Sequence, residues 1–140
     1  MQHKRLEHIP GVTFRHVAQL RKINIHTTQQ LLDVCMTAQQ RETLGKVLEV
    51  SELRVFDWVC AIDLFRINGL NSTYVALLLE AGVNSAEKVA VQDPAQLLIQ
   101  LRELNRERRI VRRLPSEKQI GKWVASAKEM SPLIALDSAD

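Results

Sequence analysis

The stretch LFRINGLNSTYVALL, Leu64–Leu78, decides the fold. Its centre, Ile67-Asn68-Gly69-Leu70, sets apolar residues around a glycine that can take the left-handed backbone a tight turn needs. Asn71 then stands where a side-chain cap opens a helix from about Ser72 to Ala81, with Val75, Leu78 and Leu79 at the spacing of one inward face. The same grammar occurs 58 residues earlier in LEHIPGVTFRHVAQL, Leu6–Leu20, where Ile9-Pro10-Gly11-Val12 precedes Thr13.

Laid over each other at that offset of 58, Leu6 meets Leu64, Ile9 meets Ile67, Gly11 meets Gly69, and Val17, Ala18 and Leu20 meet Val75, Ala76 and Leu78. Ile25 then falls on Val83 and Thr27 on Ser85. Farther along, an offset of 65 pairs Ser51 with Ser116, Trp58 with Trp123 and Val59 with Val124. A seven-residue insertion in the second half, around LRELNRERRIVRRLP (Leu101–Pro115), accounts for the change. The chain therefore reads as a first unit over 1–65, a second over 66–130 that carries a basic insertion, and a flexible tail over 131–140.

Composition agrees with helices. Of 140 residues 46% are hydrophobic, enough for a core, while five Gly, four Pro and few aromatics favour helix over strand. No run approaches the length of a membrane helix and the N-terminus lacks an apolar signal region, so a soluble, cytoplasmic chain without membrane insertion is expected. Cys35 and Cys60 have no CxxC spacing and sit in apolar helical contexts, as buried thiols do.

The helix boundaries follow from caps. A short first helix carries Leu6 and Ile9 and stops at Pro10-Gly11, and a second starts near Thr13 with Val17, Ala18 and Leu20 on one side. Thr27 with Gln30 and Thr37 with Gln40 form capping-box patterns that open the third and fourth helices. Ser51 caps a fifth, with Leu53, Phe56, Val59 and Cys60 as its stripe and Val55, Trp58 and Ile62 beside it. Leu64 and Ile67 continue from that helix, which is expected to serve both units. Ser85 opens a short helix, Asp93-Pro94 starts a longer one, and Ser116 caps the last, whose stripe is Ile120, Trp123, Val124 and Ala127. Trp58 and Trp123, in matching apolar stripes, read as packing anchors rather than base-stacking platforms.

A Gly turn followed six residues later by VAxL resembles the helix-hairpin-helix motif, and two such runs with intervening helices look like the tandem arrangement of that class. The whole pattern, over about residues 4–130, is also similar to an uncharacterised bacterial domain-of-unknown-function family with such hairpins. The resemblance implies an all-α, SAM-like small helical fold with duplicated helix-hairpin-helix units sharing a central helix. It further implies backbone contacts to phosphate from Gly11, Val12 and Thr13, with Arg15 or His16 nearby, and from Gly69, Leu70 and Asn71. Unpaired amides at a helix start form an electropositive nest, and glycine lets phosphate approach. The sequence departs from the class at the second glycine of each turn, where Thr13 and Asn71 stand; side chains there cap the helix from within and make the nest less available.

The net charge of +3 is unevenly spread: nine Lys/Arg against three acids lie between Arg102 and Lys128. Arg106, Arg108, Arg109, Arg112 and Arg113 mark a surface for phosphates or for an acidic partner protein. No phosphate-binding Gly loop, nucleophile elbow or paired-carboxylate arrangement is present, and His3, His8, His16 and His26 lack metal-site spacing, so surface or capping roles suit them. A non-enzymatic module without cofactor or metal is expected. It binds nucleic acid without sequence specificity, or serves as a rigid adaptor for another protein.

Overall fold

Eight α-helices and a short 3-10 helix, with no strand, make up residues 5–132, the span that the computed structural model describes. The 3-10 helix Leu6–His8 leads into the first glycine turn. It is followed by α1 (Phe14–Lys22), α2 (Thr28–Asp33), α3 (Ala38–Leu48) and α4 (Glu52–Leu64). After the second glycine turn come α5 (Ser72–Glu80), α6 (Ala86–Ala90), α7 (Pro94–Arg108) and α8 (Glu117–Lys128). The chain is all-α. The expected tail over 131–140 falls, from residue 133 on, outside the described residues, as does His3. No helix among the described residues is long and apolar enough to cross a membrane.

Most of these helices are too short to hold alone, and side chains fix where they begin. Thr13, Thr27, Thr37, Ser51, Asn71, Ser85, Asp93 and Ser116 each accept a hydrogen bond from an amide in the first turn of the helix they precede. Each such cap is worth about 1 kcal/mol. The box at Thr27 closes only halfway: its hydroxyl takes the Gln30 amide, while Gln30 Oε1 accepts from His26 N at 2.7 Å instead. At their other ends α1, α3 and α5 close with amides reaching back five residues, Ile25 to Leu20, Val50 to Gly45 and Val83 to Leu78. Asn24, Glu49 and Gly82 take the left-handed backbone that this closure requires.

α4 is the centre of the molecule. It packs on α2, α3 and α5, and α8 packs on α6 and α7. Burial on several sides explains why no single stripe describes it. Val55, Trp58, Val59, Cys60, Ala61, Ile62 and Leu64 are all buried, whereas Leu53, expected inward, lies in the first turn and is 70% exposed. A second correction concerns α1: its buried side is His16, Val17 and Leu20, and Ala18 faces solvent. At 100° per residue, His16 and Leu20 share a face that Ala18 leaves. Both cysteines are buried, and burial raises each thiol to about 12, which leaves them inert.

Two buried ionic side chains tie the helices together. Arg41 donates to Glu52 Oε2 at 3.1 Å and to the Cys35 carbonyl at 2.9 Å, joining α3 to the start of α4 and to the end of α2. Asp63, on α4, accepts from the Ala86 amide at 2.8 Å and from Arg66 Nη1 at 2.7 Å. Arg66 in turn donates to the Ser131 carbonyl at 2.6 Å.

Candidate functional site

The first glycine turn is closed by the Val12 amide, which donates to the Ile9 carbonyl at 3.1 Å, and Gly11 supplies the left-handed residue at φ +87°. Thr13 and His16 then lock the start of α1. Thr13 Oγ1 accepts the His16 amide at 3.2 Å, and the Thr13 amide donates to His16 Nδ1 at 3.1 Å. That acceptor role belongs to a neutral ring protonated on Nε2. Burial, with Arg54 and Arg15 nearby, lowers the His16 pKa from its ordinary value of 6.5 and keeps it neutral. The imidazole lies on Trp58, centroids 5.2 Å apart, and the Trp58 indole nitrogen would sit 3.7 Å from any Cβ added to Gly11.

The second turn closes in the same way, with Asn71 in the place of Thr13 and Tyr74 in that of His16. Leu70 N donates to the Ile67 carbonyl at 3.3 Å and Gly69 takes φ +91°. Asn71 Oδ1 accepts the Tyr74 amide at 2.9 Å. Tyr74 replaces His16 against a tryptophan, its ring 5.3 Å from that of Trp123, and the Trp123 indole nitrogen would stand 3.4 Å from a Gly69 Cβ. Leu70 is buried, so only its backbone could reach a ligand. The two turns lie side by side: Ser72 Oγ, just past the second, donates to the His8 carbonyl, just before the first, at 2.6 Å.

The basic segment runs along this pair of turns. Arg108 and Ile110 line a groove of about 460 Å³ together with Pro10, Gly11 and Trp58, while the Arg113 carbonyl accepts a long bond of 3.4 Å from the Tyr74 hydroxyl. The expected arginines do not all act alike. Arg106 pairs with Glu103 at 3.6 Å on α7, and Arg108 reaches across to Glu80 on α5 at 2.7 Å. Arg109 ends α7 in left-handed geometry at φ +50°, and Arg112 and Arg113 are exposed between α7 and α8. Among the described residues, no acid lies within ion-pair distance of Arg15, Arg109, Arg112 or Arg113.

Acids enter the same groove, and spacing gave no sign of them. Asp57 and Glu80 face it beside Arg54 and Arg108, and burial, helped by the nearby Glu80 charge, raises the Asp57 pKa against the pull of Arg54. The expected main-chain nest is also altered. Val12, Thr13 and Leu70 spend their amides inside the turns, so they are not free for a ligand. The caps take the third amides of α1 and α5, leaving Phe14 and Arg15, and Ser72 and Thr73, as the first-turn amides that a helix cannot pair internally. A larger, nearly uncharged groove of about 700 Å³ lies elsewhere, between α1, α2 and α3, with Ile23, Val34 and Val47 at its wall.

Neither a curated protein nor a solved structure matches this chain. One family profile does, over residues 10–130, a span that takes in the second glycine turn, the first from Pro10 on, every α-helix and the basic segment. The chain accordingly belongs to the family described as Domain of unknown function (DUF4332).

Proposed function

We propose that this chain is a non-enzymatic module of two helix-hairpin-helix units that binds nucleic acid along its phosphate backbone without strong sequence preference. The duplicated reading draws support from more than the glycines. Turn closure, positive-φ glycine, capping residue, ring on tryptophan and five-residue closure at Ile25 and Val83 recur in order in both halves. The observation that carries the functional reading is the bond from Ser72 Oγ to the His8 carbonyl, which sets both turns on one face where the arginine segment passes.

The internal occupation of the Val12, Thr13 and Leu70 amides moves the weight of binding from the turns to side chains. Arg15, Arg109, Arg112 and Arg113 then supply the charge, joined by the first amides of α1 and α5. Arg108 and Arg106 sit in exposed pairs with Glu80 and Glu103, which solvent screens, so phosphate can compete for both.

Fluorescence anisotropy against duplex and single-stranded DNA over a salt series tests the proposal. The affinity falls steeply with salt, and Arg112→Ala with Arg113→Ala weakens all sequences alike and lowers the logarithmic salt slope by about one per arginine. Binding that is absent at low salt, or that ignores those arginines, overturns it. A second reading, an adaptor docking onto another protein with its basic segment toward an acidic surface, is favoured by the side-chain caps at Thr13 and Asn71. The apolar wall of the larger groove suits it too, and the overturning result above would leave it as the better account.

A further inference from the structure

Trp58 is 1% exposed, yet its indole N–H, which a buried tryptophan ordinarily spends on a partner, has no acceptor among the described residues. Nor is its nitrogen sealed in the core, as Arg41 Nη2 and Gln19 Oε1 are. It stands behind Gly11, where a Cβ would come within 3.7 Å of it, and both residues line the groove of about 460 Å³. The floor of that groove therefore holds an unused donor. Pro10, Ala76, Leu79 and Ile110, all half-buried, give it apolar walls.

Charge sorts the occupants. Arg54 and Arg108 line the groove together with Asp57 and Glu80, so formal charges cancel; a phosphate there meets two carboxylates and a cation meets two guanidinium groups. Arg108 and Glu80 take each other at 2.7 Å. Arg54 and Asp57, both exposed and in no ion pair among the described residues, are left open to a ligand. The fitting ligand is uncharged where it is buried, has apolar faces, and carries acceptors for Trp58 and Arg54 beside donors for a carboxylate. Nucleobases have this character. Guanine alone among them sets two donors, N1–H and its amino group, next to a carbonyl oxygen, which suits a carboxylate that accepts on both oxygens. Adenine and cytosine offer one amino group each, and thymine one N–H.

We infer that the groove takes one unpaired guanine, whose O6 and N7 receive Trp58 Nε1–H and Arg54 and whose N1–H and amino group are held by Asp57. The inference rests on the nucleic-acid reading above for the strand that delivers the base, and lays a preference for guanine over backbone contacts that have none. In the second half Trp123 Nε1 stands behind Gly69 in the same way, 3.4 Å from a Cβ there. The offset of 65, however, puts Lys122 in the place of Asp57 and Gln119 in that of Arg54, and Gln119 is spent on capping α8. The site belongs to the first half.

The test uses the full chain with labelled oligothymidine, the same strand carrying one central guanine, hypoxanthine or adenine, and guanosine monophosphate. One guanine tightens wild-type binding roughly ten- to hundredfold, and adenine stays within about twofold of thymine. Hypoxanthine, which lacks the amino group, falls between. Asp57→Ala, a truncation at an exposed position, erases the difference while oligothymidine affinity holds; an unchanged melting temperature verifies the fold. The buried donor has its own readout. Guanosine monophosphate moves the Trp58 indole signal in a nitrogen–proton correlation spectrum, identified with Trp123→Phe, and leaves that of Trp123 in place.

Equal affinity for the guanine and adenine strands, or a guanine preference that survives Asp57→Ala, overturns the inference. The parent reading then still stands on the response to Arg112→Ala and Arg113→Ala. Guanosine monophosphate that moves the Trp58 signal, with no oligonucleotide bound at low salt, keeps the guanine site and removes the backbone reading. Wild type that binds neither removes both.

Discussion

His16 shows how much one side chain can carry. It accepts the Thr13 amide, returns its own amide to the Thr13 hydroxyl, and covers Trp58 behind the glycine turn. Spacing offered it no more than a surface or capping role, because a capping box is read from Glu or Gln three residues after the cap, as Thr37 with Gln40 is. The chemistry makes a pH prediction. With the folded pKa below the ordinary 6.5, the unfolded chain binds this proton more readily. At higher pH both states are neutral and the histidine has no linkage; as pH falls through 6.5 toward the folded pKa, stability is progressively lost. Gln at this position keeps the box but cannot titrate. His16→Gln is therefore less stable than wild type near neutrality, by about 1 kcal/mol for the lost ring contact, and the gap narrows on acidification. Melting temperatures of the two proteins across that range check it; parallel curves would sink the assignment of a neutral Nδ1 acceptor.

Helix starts were legible and helix faces only partly so. Every α-helix begins after a Ser, Thr, Asn or Asp whose side chain accepts from a first-turn amide ahead of it, a local event that local sequence encodes. Which residues turn inward depends on how many neighbours a helix has. On α8 one buried side suffices, and Ile120, Trp123, Val124 and Ala127 match the stripe. On α4, packed against α2, α3 and α5, periodicity carries little information, and Leu53, expected inward, lies in the first turn and stays in solvent. α8 also holds a glycine without structural need. A Cβ on Gly121 meets nothing within 4 Å, and the residue sits mid-helix, where glycine costs about 0.5–1 kcal/mol relative to alanine. Gly121→Ala raises the melting temperature by about 3 °C. Calorimetry decides; an unchanged or lower midpoint would mean that the helix is not formed there as described.

At the scale of the whole molecule, the offsets of 58 and 65 say nothing about which residues of the two segments touch. Ser72 meeting His8 leaves no periodic trace, and neither do Asp57 and Glu80 lining the groove with Arg54 and Arg108. One long-range link did leave a signal that went unread: Asp63 stands in the otherwise apolar run Val59–Leu64, where an acid must find partners or stay out of the core. It finds two. One oxygen holds the first amide of α6 and the other holds Arg66, which continues to the Ser131 carbonyl beyond α8. The central helix is thereby fastened to the helices of the second half by charge as well as by packing. Asp63→Ala strips an acceptor from a buried amide and leaves Arg66 unpaired, at a cost of about 2–4 kcal/mol. Asp63→Asn keeps the shape and one carbonyl oxygen for Ala86, so it costs less, about 1–2 kcal/mol. Urea unfolding of both variants is expected to show one transition at lower midpoints, in that order, with the wild-type slope. Equal midpoints for the three proteins would show that packing alone joins α4 to α6, and a second transition in Asp63→Ala would show that the halves can unfold separately once this link is cut.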